Sequence, residues 1–272
     1  MTRHSASLFA YARTIRQHRD LLAQLVHRDF KTKFAGSFLG AVWAVLTPLL
    51  TVMIFTFVFG VVFQTRWGGE PTTKGDFAII FLLGMLIHAV FAESIARGPT
   101  IILGNPSYVK RVVFPLEILP VSIVLQAVIT GIIGLAVVIL ANVLLTGTLQ
   151  LTILFLPLLL VPYMLMVLGV TLFFSSIGVY IRDLGQIVSF LTTITLFATP
   201  IFYPIDAVPA PYRPLIYLNP LTFTVEQARA VTLFGNTPNL YGLGFYSLLS
   251  IVVVWAGFAW FQKSRSGFAD VT

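Results

Sequence analysis

Residues 118–146, ILPVSIVLQAVITGIIGLAVVILANVLLT, form a long stretch without a charged side chain. The charge-free run continues to residue 181, and its middle is marked only by the polar segment TGTLQLT at residues 146–152. A helix needs about 20 predominantly apolar residues to cross a bilayer, so this run is long enough for two crossings joined by a short turn. Peptide groups in hydrocarbon have no water to bond to, and the continuous apolarity lacks the alternation of a barrel. Helices are therefore expected.

The composition indicates the same environment for the rest of the chain. Of the 272 residues, 57% are apolar and only 10% are charged, which leaves too few polar side chains to cover a globular surface. Further charge-free runs occupy residues 34–65, 184–205 and 230–262. We predict an all-α integral membrane protein.

The apolar runs predict six transmembrane helices. They lie at about 36–63, 77–96, 118–146, 152–180, 187–203 and 240–261. The fifth is the least regular, because Pro200 and Pro204 interrupt its end. Residues 1–35 form a separate interface segment before the six-helix domain of residues 36–272.

The distribution of basic residues predicts the orientation. With a cytoplasmic N-terminus, the inside segments hold 13 Lys and Arg residues and the outside segments hold 4. The positive-inside rule therefore places both termini in the cytoplasm. The net charge of +7 then faces the inner leaflet for the most part, so membrane lipid is a better explanation for it than nucleic acid.

The first 35 residues combine apolar and basic positions in a helical pattern. Most of the apolar residues recur at spacings of three, four or seven, with Arg13, Arg16 and Arg19 between them. The apolar positions are Leu8, Tyr11, Ile15, Leu22 and Leu25. We predict an amphipathic helix along the inner leaflet, and the pattern alone is also compatible with a simple orientation anchor.

Four segments in chain order resemble a known family. They are RDFKTKFAGSFLGAVWAVLTPLL (28–50), NPSYVKRVVFPLEILP (105–120), YIRDLGQI (180–187) and TPIFYPIDAVP with YLNPLTFTVEQAR (199–229). Together they resemble the membrane subunit of ATP-binding-cassette exporters that move lipid-linked polysaccharide, of the O-antigen, capsule and teichoic acid type. The resemblance covers essentially the whole chain. It implies a multi-pass protein of the bacterial cytoplasmic membrane that works as a homodimer.

The resemblance also implies residues that pass force from a separate ATPase subunit to the membrane helices. In the two cytoplasmic loops these ATPase-coupling residues are Asn105, Tyr108, Lys110, Arg111, Phe114, Glu117, Arg182 and Asp183. On the interface helix, Arg28, Asp29 and Lys31 would lie near the start of the first span, where they could touch both the ATPase and the lipid headgroups. From the residues alone, the charges of the first loop also fit an ordinary solvated connection, and Arg182 and Asp183 fit a helix-end cap with a snorkelling side chain.

Residues 204–239 are apolar enough to be buried, but neither half is long enough to cross a bilayer. We expect two short helices broken at Asn219 and Pro220, which dip partway into the outer leaflet. The resemblance implies an exit gate here, with Tyr203, Tyr217 and Phe223 as its candidate residues. The charged residues of this segment should stay near water or pair with one another. They are Asp206, Arg213, Glu226 and Arg229.

Phenylalanine is unusually common, with 24 residues, and several fall at four-residue spacing near the first span. Phe34, Phe38, Phe55, Phe59 and Phe63 would line one face of a continuous helix. Aromatic rings stack on the apolar faces of sugars, so this face is a candidate glycan path. Lipid-facing or helix-packing rings are the alternative for each residue.

Ionisable residues inside the spans are few. Glu93 and Arg97 lie four residues apart and can pair on one helix face, which argues against a proton relay. His88 has no obvious acidic or thiol partner, so a role in helix packing or in a cavity is favoured over metal binding, and no metal site is predicted.

The sequence contains no G-x-x-x-x-G-K-[ST] motif, so no phosphate-cradling loop for ATP is expected on this chain. ATP and Mg²⁺ would bind to the partner subunit, and this chain would carry no cofactor and no catalytic residue. Two other classes of function remain open. An ion-coupled secondary transporter should show repeats and several membrane-embedded acids. A membrane enzyme acting on lipid-linked sugars should show clustered acids or histidines.

Overall fold

The computed structural model describes residues 7–62, 76–109 and 114–268. Within these ranges the regular structure is helical throughout, as predicted. The α-helices are α1 (Leu8–Gln17), α2 (Arg19–Phe34), α3 (Trp43–Phe55), α4 (Asp76–Ile101), α5 (Pro106–Val109), α6 (Ile118–Thr146), α7 (Leu156–Ile177), α8 (Leu184–Ala198), α9 (Arg213–Leu218), α10 (Pro220–Thr232) and α11 (Leu240–Ser264). A π-helical segment, Thr56–Val62, continues α3.

Five helical stretches of the described chain are long and apolar enough to cross a membrane. They are Gly40–Val58, Phe77–Ile101, Ile118–Thr146, Leu151–Ile177 and Leu240–Gly267. The multi-pass prediction is confirmed, and these stretches correspond to the first four and the last of the six predicted spans. Three of the predicted ends shift by several residues, since the first stretch begins at Gly40, the second continues to Ile101 and the last to Gly267.

The predicted fifth span corresponds to α8, which has 15 residues and ends at Ala198, five residues before the predicted boundary. Thr199 adopts an extended backbone, with φ of −90° and ψ of 139°, because it precedes Pro200. A helix of this length is shorter than the roughly 20 residues that a full crossing needs. The six-span count stays a prediction.

The long helix α4 lies at the centre of the bundle and contacts α6, α7, α8 and α10. The last helix, α11, packs closely against α7. The contact leaves no room for a side chain at Gly169 of α7 or at Gly257 of α11. A Cβ atom added at Gly169 would lie 2.6 Å from the backbone of Val253, and one at Gly257 would overlap the carbonyl of Gly169. Small residues permit such close approach between membrane helices, where dispersion rather than water exclusion drives packing.

The amphipathic N-terminal segment is helical, as predicted, but it forms two helices that meet at His18. Its apolar positions pack against protein: Tyr11, Leu22 and Leu25 are buried in a cluster that includes Ile102 and Phe258. Part of this apolar face is therefore covered by protein, and the location of the segment along the inner leaflet stays a prediction. The basic side chains between these positions remain exposed.

A break between α2 and α3 contradicts the prediction of one continuous phenylalanine-lined face. Ala35 is extended, and Gly36 and Gly40 adopt positive φ angles of 79° and 52°, a conformation that favours glycine. Phe34 therefore ends α2, and Phe38 lies in the turn with its side chain fully exposed. Neither is on the helix that carries Phe55.

Candidate functional site

Opposite charges on α2 and α4 form two matched ion pairs at one end of the bundle. Lys33 Nζ lies 2.7 Å from Glu93 Oε1, and Arg97 Nη2 lies 3.5 Å from Asp29 Oδ2. Because the charges on each helix are four residues apart, both pairs can form along one line of contact. The predicted pairing of Glu93 with Arg97 on a single face is thus replaced by pairing across two helices. Arg97 also donates a hydrogen bond to Gln126 of α6.

The first predicted coupling loop meets α2 at the same end. Tyr108 of α5 stacks on Phe114 with ring centroids 4.3 Å apart, and the Arg28 Nη1 atom donates to the Tyr108 hydroxyl at 3.2 Å. Burial by itself lowers the pKa of Arg28, but the hydrogen bond and charge of Asp29 outweigh it and hold that pKa above its usual value. Asn105 bonds back to Ile101 O at 2.8 Å and stabilises the end of α4.

Lys110 and Arg111, the bases of the predicted coupling loop, lie outside the described residues. The structure therefore brings together Arg28, Asp29, Tyr108 and Phe114 from the predicted site. Lys31 is exposed on α2, next to this group along the chain.

Glu117 differs from the other predicted coupling residues because its side chain is buried. Its Oε2 atom lies 2.9 Å from Arg265 Nη1, and Arg265 Nη2 donates to the carbonyl of Phe114 at 2.9 Å. The pair joins the start of α6 to the end of α11. Glu117 is therefore turned towards the interior and is not presented to a docking protein, contrary to the prediction.

Tyr11 ties α1 to the same place. Its ring stacks on Phe258 at 4.2 Å, and its hydroxyl donates to the Glu117 carbonyl at 3.4 Å. Burial and the nearby Glu117 carboxylate raise the pKa of Tyr11 well above its usual value, so this hydroxyl stays neutral. Arg265 holds Glu117 and the Phe114 carbonyl in place. It was not identified as a site residue from the sequence, where it is simply one of the basic residues that follow the last predicted span.

The second predicted coupling loop lies at this end too. Gly178 sits against the backbone of Pro99 in α4, and the Tyr180 hydroxyl donates to Ser264 O at 2.7 Å. Arg182 and Asp183 are exposed, and Asp183 makes no side-chain hydrogen bond to the start of α8. The helix-cap interpretation of Asp183 is therefore not supported. We refer to α1, α2, α5 and residues 178–183 together as the α2 end.

The short helices α9 and α10 lie near the start of α4, at the opposite end of that helix from its ion pairs with α2. We refer to α9 and α10 as the α10 end. They are separated at Asn219 and Pro220, as predicted. The side-chain Oδ1 atom of Asn219 accepts a hydrogen bond from the backbone N–H of Leu221 at 3.0 Å, which caps α10. The side-chain Nδ2 atom of Asn219 donates to Thr199 Oγ1 at 2.8 Å. One side chain thus begins α10 and ties it to the end of α8.

Arg229 of α10 is the main polar anchor of the α10 end. Its guanidinium donates to the carbonyls of Ile80 at 3.0 Å, Pro200 at 2.6 Å and Ile201 at 3.2 Å. It also pairs with Glu226 at 3.1 Å, and its side chain is 1% exposed. The predicted pairing of charged residues in this segment is confirmed here and for Arg213 with Asp206 at 3.5 Å. Arg229 thus meets the expectation by pairing and not by exposure to water, and two of the carbonyls that it holds, those of Pro200 and Ile201, lie at the break that follows α8.

The candidate gate aromatics are spread over the α10 end. Tyr203 donates its hydroxyl to Phe197 O at 2.9 Å, and Phe223 stacks on Tyr246 of α11 at 5.2 Å. Tyr217 is exposed. In the first span, Phe55 packs on Phe81 of α4 at 4.2 Å. Phe63 and the side chain of Phe59 lie outside the described part of the chain.

His88 packs between α4 and α8, as the helix-packing interpretation predicts. Its Nε2 atom lies 3.1 Å from the carbonyl of Thr192 and 3.3 Å from the hydroxyl of Thr195. Within residues 7–62, 76–109 and 114–268, no group of three or more His, Cys, Asp or Glu side chains could hold a metal ion.

The fold and the two ends define a helical membrane protein in which short elements at each end are joined to the long helices by polar contacts. Residues 20–233 match the family described as "ABC-2 type transporter", and the chain belongs to that family.

Curated relatives match over almost their whole length. The chain is 26% identical over 260 residues to an O-antigen export system permease protein of Myxococcus xanthus, covering 95% of this chain and 97% of the relative. It is 25% identical over 253 residues to the Klebsiella pneumoniae protein of that name, covering 93% and 95%. It is 24% identical over 236 residues to a polysialic acid transport protein of Escherichia coli, covering 86% and 90%.

Proposed function

We propose that this chain is the permease subunit of an ATP-driven exporter that moves lipid-linked polysaccharide, O-antigen or a related glycan, across the bacterial cytoplasmic membrane. The observation that carries the proposal is the end-to-end match to relatives named for O-antigen export and polysialic acid transport. These relatives are named for different glycans, so the proposal is made for the class of substrate and not for one glycan. The α2 end would face the cytoplasm, as the basic residues predict.

Within the α2 end, we propose α2, α5 and residues 178–183 as the docking site for a separate ATPase subunit. Both predicted coupling loops and α2 are found there, and Tyr108, Arg28 and the exposed Arg182 are residue types that concentrate binding energy at interfaces. Lys110 and Arg111 would add positive charge that attracts acidic groups of the partner. The ion pairs of α2 with α4 would then pass a displacement of the docked elements to the central helix.

ATP and Mg²⁺ would be bound by the partner, and the glycan would pass between two copies of this chain. The exposed Phe38 fits either a path or a lipid contact, whereas Phe55 is partly occupied by its packing on Phe81. The α9 and α10 helices would form the exit gate. Neither the ion-coupled transporter nor the membrane enzyme is favoured by a specific observation, since Glu93 is paired with Lys33 and the described residues offer no metal cluster.

The proposal is tested in cells that make the glycan. Deletion of this chain should leave lipid-linked glycan inside the cell, and surface glycan should return on expression of the parent. Reversing Lys110 and Arg111 together to Glu should reduce both copurification with the ATPase and surface glycan. Normal surface glycan in the deletion strain would contradict the proposed function. Full assembly and export by the double reversal would contradict only the coupling site.

A matched control is available on α1. Reversing Arg13 and Arg16 to Glu makes the same change in net charge at exposed positions outside the docking elements. We expect this variant to insert, to assemble with the ATPase and to export glycan. The purified parent chain alone should hydrolyse no ATP, and appreciable hydrolysis by contaminant-free protein would exclude a two-component exporter.

A further inference from the structure

A cavity of about 400 Å³ lies between α4, α6 and α7, and Ala228 of α10 contributes to its wall. The wall on α4 is formed by Leu83, Leu86, Ile87 and Val90, whose spacing of three and four residues defines one face of the helix. His88 contacts α8 from another face of α4. The cavity therefore opens on the side of α4 that is turned away from α8.

The lining of the cavity is apolar. Among the described residues that form it, Tyr163 contributes a hydroxyl, and that hydroxyl already donates to the carbonyl of Ile87 at 2.5 Å. A buried water molecule needs two to four polar partners, so the cavity is unsuited to ordered water and equally to sugar hydroxyls. Its chemistry selects hydrocarbon.

The cavity has the form of a slot along the helix axes. Its walls run over residues 83–90 of α4 and 128–135 of α6. At 1.5 Å per residue each wall is about 10 Å long, roughly a third of the thickness of a bilayer's hydrocarbon core. Ile132 and Val161 at its rim are 54% and 53% exposed, so the slot is open to the surface of the bundle.

We propose that this slot binds one acyl chain of a membrane phospholipid, aligned with α4 and α6. Both helices belong to candidate spans, so the open rim lies where a bilayer presents acyl chains. An empty slot would leave its lining atoms without dispersion partners on one side, and a chain that enters restores those contacts. Phospholipid is the apolar species always present at this surface. The site would secure the packing of α4 against α6 and α7, and it does not depend on the transported substrate.

The test is photolabelling of the full-length chain in nanodiscs. The discs contain phosphatidylethanolamine and phosphatidylglycerol, with a diazirine on one acyl chain, and labelled peptides are mapped by mass spectrometry. We expect Leu135 and Met164, which face the slot, to be labelled several-fold more than Leu158, which is exposed on α7 outside it. Equal labelling of these residues, or labelling of Leu158 above the slot, would overturn the proposal.

A pair of variants on α7 controls for nonspecific lipid contact. Leu160→Phe places a ring in the slot and should lower slot labelling several-fold, whereas Leu158→Phe makes the same change outside and should leave it unchanged. If Leu160→Phe does not fold, Ile132→Phe fills the slot from α6. Unchanged slot labelling in a folded filling variant would overturn the assignment. Displacement of the label by a polyprenyl phosphate at equal concentration would assign the slot to an isoprenoid chain and overturn the phospholipid assignment.

Discussion

The α2 end and the α10 end attach short helices to the same central helix α4 by different means. At the α2 end, ion pairs between partly exposed side chains join α2 to α4, and Lys33 and Glu93 retain 31% and 25% exposure. At the α10 end, one guanidinium with 1% exposure holds three backbone carbonyls and a carboxylate. At the α2 end, several contacts each contribute a small part of the interaction free energy. At the α10 end, a single residue, Arg229, contributes a large part of it.

The difference indicates which end can change shape at low cost. Partly exposed ion pairs contribute about 0 to 1 kcal/mol each and exchange readily with water. Removal of one partner from a buried, hydrogen-bonded charge costs several kcal/mol, since the groups left behind have no water to bond to. We infer that α2 can shift against α4 during a transport cycle, whereas α10 moves only together with residues 199–201 and the start of α4.

The largest effect is expected from Arg229→Met. The change leaves three buried carbonyls without their donor and Glu226 without its partner, so it should lower the free energy of unfolding by about 3–5 kcal/mol. Thermal unfolding of the purified chain in detergent measures the loss. Arg213→Met is the control: Arg213 also donates to two carbonyls, those of Val208 and Asp206, but its side chain is 38% exposed, so water can replace these bonds and the loss should be clearly smaller. Equal destabilisation by the two variants would contradict the special role of Arg229.

The next effect concerns the pair of Glu117 and Arg265, which lies next to the α2 end. Its side chains are largely buried, as that of Arg229 is at the α10 end. Glu117→Gln keeps the shape and removes the charge, so the hydrogen bond from Arg265 weakens. We expect a loss of about 2 kcal/mol, in the range for hydrogen bonds to charged groups, with assembly on the ATPase retained. Unfolding and copurification are measured on the same preparation. Normal stability with failed assembly would instead return Glu117 to the docking surface.

Much of this arrangement was predictable from sequence, for identifiable reasons. Charge-free length predicts the long helices, and Asn219 with Pro220 predicts the break between α9 and α10, because both signals are local. The carbonyl partners of Arg229 and the partners of Glu93 and Arg97 on α2 were not predictable, since they depend on which elements pack side by side. Periodicity identified the apolar face of α1 and α2 but could not distinguish a cover of lipid from a cover of protein.

Gly84 offers a smaller and more specific test of the Arg229 anchor. A Cβ atom at Gly84 would lie 2.8 Å from Arg229 Nη2, so Gly84→Ala forces the guanidinium to shift from its carbonyls. The expected loss is about 1–2 kcal/mol in the parent, the range for overpacking, and clearly less when Arg229→Met is already present. Unfolding of the two single variants and the double variant closes the cycle. Simple additivity would show that Gly84 acts through other neighbours, such as Ile201 and Val225.

The smallest effect on stability is expected from exchanging the charges of Lys33 and Glu93. Lys33→Glu alone places two carboxylates together and should cost no more than about 1 kcal/mol, because the pair is partly exposed. Glu93→Lys added to it restores opposite charges across the two helices. Recovery should be incomplete by a few tenths of a kcal/mol, since the exchanged charges then lie four residues from the like charges of Asp29 and Arg97.

The same exchange separates the mechanical role of this pair from its contribution to stability. If the contact passes motion from α2 to α4, the single reversal should lower surface glycan far more than it lowers the melting temperature, and the exchange should recover most of the transport. Arg16→Glu is the control, because Arg16 lies on α1, outside the proposed docking elements, with an exposed side chain, and its reversal changes the charge equally. A single reversal that exports like the parent, or an exchange that exports no better than the single reversal, would show that α2 passes no motion to α4 through this pair. The contacts of Arg265 and Tyr11 with Glu117 would then be the remaining polar links between the α2 end and the long helices during the transport cycle.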